Sequence, residues 1–107
     1  MLHKKVTHKK LRPKPQRDLA YLRWLHNDEQ PCCMVCNTRL AINMHHVKKN
    51  STDYRDDSKI IPLCAEHHLG NELSPHGTPA IFRKVYPMDQ QLAFAEELYN
   101  KYKDSHD

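Results

Sequence analysis

The chain has 107 residues, 38% of them apolar and 7% aromatic, which predicts one domain with a modest core. It holds no apolar run near the ~20 residues that a membrane-spanning helix needs, and its lysine-rich start lacks the apolar segment of a secretory signal. The net charge of +4 and the four cysteines are therefore read as those of a cytoplasmic protein, in which metal ligation is favoured over disulfides.

Residues 1–17 hold seven basic side chains (Lys4, Lys5, Lys9, Lys10, Arg12, Lys14 and Arg17) and no acid, whereas the remainder holds ten basic and thirteen acidic residues. With Pro13, Pro15 and no helical periodicity, this stretch predicts a flexible arm suited to a polyanion, ahead of a folded domain over 18–107. Asp18 is expected to cap a helix carrying Leu19, Leu22 and Leu25, with Tyr21 and Trp24 beside them, spaced for one buried face and ending near Asn27 before Pro31. "PCCMVC" reads as a tight metal-binding turn. "TRLAINMHHV" reads as a strand with Leu40, Ile42 and Met44 on one side, "KKNSTDYRDDSK" as a polar loop, and "IIPLC" as a second strand. "AEHHLGNEL" predicts a short helix broken by Ser74-Pro75 and Gly77. "PAIFRKVY" predicts another. Asp89 is expected to cap a last helix carrying Leu92, Ala95, Leu98, Tyr99 and Tyr102 on its core face. The fold class is α+β.

Zinc in a structural site takes four sulfur or nitrogen ligands in a closed tetrahedron. Cys33 and Cys36 have a two-residue gap, and Cys64 and His67 repeat it at a helix entrance. Cys32 could replace Cys33 by spacing alone, and Cys64 could instead pair with His68, freeing His67. Neighbours on a helix diverge by about 100°, so His67 and His68 serve different centres. If His67 closes the zinc set, His68 is left to a second cluster with His45, His46 and His76, with Asp57 and Glu72 in reach. Such a set offers more ligands than one cation needs, leaving a histidine for acid–base work.

"PCCMVC", "MHHV", "IPLCAEHH" and the following "HG", over residues 31–77, resemble the HNH endonucleases, also called ββα-metal or His-Me finger nucleases. The arrangement is similar to small phage and prophage members of the recombination-enhancement type. The resemblance implies a small zinc-stabilised ββα-metal core with a preceding helix and C-terminal helices. It places Cys33, Cys36, Cys64 and His67 on a structural zinc, and His45, His68 and His76 on a catalytic divalent cation (Mg, Mn, Ni or Zn). It makes His46 the general base and Asp57 a residue that orients it. Relatives often carry the last ligand four residues after the helix histidine, where this chain has Glu72, so Glu72 stands as an alternative to His76. The implied activity is hydrolysis of DNA phosphodiesters with low sequence specificity, in phage recombination or DNA processing, with a recombinase filament or another phage DNA-processing protein as the expected partner. Lys48, Lys49 and Arg55, with Lys4, Lys5, Lys9, Lys10 and Arg12 of the arm, are the expected phosphate contacts. The rival reading is a non-catalytic, zinc-stabilised nucleic-acid-binding module.

Overall fold

The computed structural model describes residues 16–50, 53–70 and 73–106. The expected arm therefore lies outside the described residues, together with Lys4, Lys5, Lys9, Lys10, Arg12 and Glu72. Gln16 and Arg17 are exceptions. Gln16 forms an isolated parallel bridge with Asp56, so the folded part begins before residue 18.

Helix α1 runs Leu19–Trp24 and continues as one π turn, Leu25–Glu29. Asp18 caps it as expected, its side chain accepting from the Tyr21 N–H at 3.1 Å. Of the predicted buried face, Tyr21, Trp24 and Leu25 are inside and Leu22 packs half-buried against them, whereas Leu19 is 53% exposed. The aromatic rings decide this, because each has more apolar area to bury than a leucine. Tyr21 packs 4.7 Å from the Tyr99 ring and 5.1 Å from the Tyr102 ring.

Residues 31–42 make the cysteine-bearing turn, held by Cys33 N–H to the Arg39 carbonyl and Ala41 N–H to the Pro31 carbonyl. That pairing turns Ala41 inward and leaves Leu40 and Ile42 exposed, so the strand predicted from Thr38 starts only at Asn43. Strand β1 (Asn43–His46) pairs antiparallel with β2 (Ile60–Leu63), setting His45 opposite Ile61 and His46 opposite Ile60. All of β2 is buried, because the hairpin separates two apolar clusters. Ile61 and Leu63 join Cys33, Val47, Cys64, Phe82 and Ala95 on one side. Ile60 joins Tyr21, Trp24, Leu25 and Leu98 on the other.

Helix α2 (Ala65–Leu69) follows directly, and α3 spans Pro79–Val85. Helix α4 (Met88–Ser105) buries Gln91, Ala95 and Leu98. Asp89 is not its cap as expected. Pro87 occupies that position, and Asp89 lies in the first turn, where its charge complements the helix dipole. The architecture is a small α+β arrangement of one two-stranded sheet and surrounding helices.

Candidate functional site

Side chains alternate across a strand, and residues directly opposite in an antiparallel pair share a face. His45 therefore lies on the Ile61 side of the hairpin and His46 on the Ile60 side. The adjacent pair is divided. The single cluster expected from the sequence is thus split: His45 stays with His68 and His76, while His46 stands beside Asp57, the residue that the resemblance pairs with it.

Cys33, Cys36, Cys64 and His67 bring one ligand atom each within 4.8 Å of one another. His67 Nδ1 is 3.2 Å from Cys64 Sγ and 3.7 Å from Cys33 Sγ. A tetrahedral zinc with ordinary bond lengths sets a sulfur–nitrogen edge of roughly 3.6 Å, so the donors fit a metal such as zinc. Two of the sulfurs, Cys36 and Cys64, are also shifted towards the thiolate. Val35 N–H donates to Cys33 Sγ at 3.4 Å and Arg39 Nη1 to Cys64 Sγ at 3.5 Å. Bonds to the Thr38 and Arg39 backbone and the Thr38 side chain bring the Cys36 thiol down to about 5. Burial pushes the Cys33 thiol up against its own N–H bonds. Both choices left open by spacing resolve: Cys32 is exposed and bridged to Leu40, and His67, not His68, joins the thiols.

His45, His68 and His76 form the second set, again with ligand atoms within 4.8 Å of one another. Their ring centroids are 4.8–5.4 Å apart. The set has the character of a cation site. His68 Nδ1 is buried without a hydrogen-bond partner, a costly state that a cation or a donor would relieve. Burial first, then the charges of His76, His68, His46 and Lys48, pull His45 down to about 4. Burial and His76 lower His68 likewise. Both rings are thus held in the neutral form that ligates metal. His76 reaches the set because Ser74, fully buried, ties the turn together through Gly70 O, Gly77 N–H and Thr78 Oγ1.

His46 Nε2 lies 2.8 Å from Asp57 Oδ1. Burial pushes the Asp57 carboxyl up, but the Asp18 N–H bond, the His46 bond and the charges of His46 and Arg17 hold it below the usual range. As a carboxylate it accepts from Nε2–H, which leaves Nδ1 of His46 as the basic nitrogen. His46 opens into a cleft of about 400 Å³ lined by Arg17, Lys48, Tyr54, Arg55 and Asp57. A neighbouring cleft of about 380 Å³ adds Lys49 and Lys59. Of the three loop cations expected from the sequence, Lys48 and Arg55 thus border the His46 cleft and Lys49 the neighbouring one.

No family model, curated protein or solved structure matches the chain. The reading of the site rests on its residues. Those that sequence reasoning missed are Arg17, Asp18 and Tyr54. Arg17 was absorbed into the arm's charge and Asp18 into a helix cap, and Tyr54 carried no signal beyond its place in a polar loop.

Proposed function

We propose that the chain is a metal-dependent endonuclease of the HNH, or ββα-metal, kind that hydrolyses DNA phosphodiester bonds with little sequence specificity. The observation that carries the reading is the division of one short helix between two donor sets. His67 joins a largely buried Cys3His group, His68 joins the partly exposed histidine trio, and the strand that supplies His45 also carries His46, which pairs with Asp57 of the following loop. A zinc-stabilised binding module needs only the first set.

The chemistry follows from the residues. Asp57 holds His46 with its Nδ1 free to take a proton from water as the water attacks phosphorus. Lys48, Lys49 and Arg55 hold flanking phosphates at the rim of the same clefts. A divalent cation on His45, His68 and His76 would supply the positive charge that offsets charge gathering on the phosphate and the leaving 3′ oxygen. The Lys48, Lys49 and Arg55 contacts are to phosphates, which carry no sequence information, and this supports low sequence specificity.

The test is nicking of plasmid and single-stranded DNA by the zinc-loaded chain with Mg, Mn, Ni or Zn, beside a His46→Ala control. Cleavage that is lost in the control, with DNA affinity retained, supports the reading. DNA binding without cleavage in any cation would make the chain a non-catalytic module instead.

A further inference from the structure

The Asp57 carboxylate is 2% exposed, yet both its oxygens are engaged. Oδ1 faces His46 Nε2, while Oδ2 accepts from the Asp18 N–H at 2.7 Å and lies 3.4 Å from Arg17 Nε. The segment that supplies these donors is itself held at both ends. Gln16 N–H donates to the Arg55 carbonyl at 3.0 Å, and its own carbonyl accepts from Asp57 N–H at 2.8 Å. At the other end Asp18 Oδ1 caps α1, and Asp18 Oδ2 accepts from the Tyr99 hydroxyl at 2.8 Å, across 81 residues of sequence.

A carboxylate bonded through one oxygen alone can turn about its Cβ–Cγ bond, and the imidazole it holds turns with it. Bonds on the second oxygen remove that freedom, as outer-shell partners do for histidines at metal sites. We propose that residues 16–18, pinned by Tyr99, are a positioning strap that locks the Asp57 carboxylate and through it the tautomer and direction of His46. This rests on the nuclease reading only for its catalytic consequence. Tyr99 and Asp18 touch no substrate and act through Asp57. A cap at Asp18 and a packed ring at Tyr99 would by themselves affect stability and leave His46 unchanged.

The experiment uses the full, zinc-loaded chain at neutral pH with three variants: Tyr99→Phe, Asp18→Ala and Asp18→Asn. Long-range proton–nitrogen NMR of the His46 ring reports its tautomer without DNA, and nicking kinetics report kcat and KM. The parent is expected to hold the Nε2–H tautomer. Tyr99→Phe and Asp18→Ala should raise the other tautomer and lower kcat about 10-fold with KM nearly unchanged. Asp18→Asn keeps a capping oxygen and a polar partner for Tyr99, and should restore most of both. Tyr99→Phe deletes one hydroxyl and covers the case in which Asp18→Ala fails to fold. A parent-like His46 tautomer in Tyr99→Phe overturns the strap whatever the cleavage rate. A parent that never cleaves, but whose His46 responds as stated, sinks the nuclease reading and keeps the strap.

Discussion

The backbone N–H of His76 donates to the carbonyl of His68 at 3.3 Å, so the third imidazole of the trio is returned to the helix that carries the second. The chain has two glycines, and both stand in this turn, at 70 and 77. A Cβ on Gly77 would overlap the Gly70 carbonyl oxygen and lie 2.6 Å from Ser74 Oγ. Backbone cannot swing aside as a flexible side chain can.

Gly77→Ala is therefore expected to shift the turn and move His76 out of the set. The overpacking should cost about 1–3 kcal/mol of stability. Affinity for a second cation should fall about 10-fold or more, approaching that of His76→Ala. Calorimetric titration of Ni2+ into the zinc-loaded protein reads this directly, and zinc content should remain one per chain. Unchanged Ni2+ affinity in Gly77→Ala would detach the turn from the site.

Spacing along one element was legible from sequence, because a strand alternates and a helix rotates by fixed amounts. The two-residue gap of a chelating turn and the separation of His67 from His68 follow from that, whereas the choice of His67 over His68 as the partner of Cys64 is made by the packing of the helix against the cysteine turn. The choice of Cys33 over Cys32 depends also on the turn, where the Cys32–Leu40 bridge carries Cys32 outward. What sequence did not disclose depends on distant partners. The inward face of α1 is set by Tyr99 and Tyr102 on α4, and Asp57 meets a backbone donor 39 residues earlier. No local period encodes such pairings.

The Cys3His set makes a contrast between adjacent cysteines. Cys33 is fully buried among the donors, whereas Cys32 is exposed. Zinc binding to such sites contributes on the order of 10–16 kcal/mol, comparable with the whole stability of a small domain. Cys32→Ser should keep one zinc per chain and the parent melting temperature. Cys33→Ser and Cys36→Ser should lose both, as should the parent under a strong chelator. Zinc content by elemental analysis and thermal melts by circular dichroism decide it, and a melt of Cys36→Ser matching the parent would remove the metal from the folding energetics.

Lys48 and Arg55 line both clefts beside β1, and Lys49 lines one. Each phosphate contact on duplex DNA contributes about 0.9 to the slope of log affinity against log salt. Lys48→Ala and Arg55→Ala should each flatten that slope by about this amount, and the double variant by about twice as much. Fluorescence anisotropy over roughly 50–200 mM salt measures it. Equal slopes in parent and double variant would place the DNA elsewhere.

His45 ties the hairpin to the pH dependence of stability. Its folded-state pKa is lowered from 6.5 to about 4, by burial first and then by its cationic neighbours. Between those values the unfolded chain holds a proton that the folded chain does not, so stability rises with pH through the window and is lost as pH falls from 6.5 towards 4. His68 is shifted in the same direction and adds to the slope. Denaturant unfolding of the zinc-loaded protein at pH 7 and pH 5 should therefore show a loss that His45→Gln reduces by about 1 kcal/mol. Saturating Ni2+ should stabilise the parent at pH 7, by about 2.7 kcal/mol at a hundredfold excess over Kd, and by less at pH 5 as protons compete for the same nitrogens. A parent and His45→Gln with the same pH dependence would mean that this ring is solvated rather than held neutral against its neighbours.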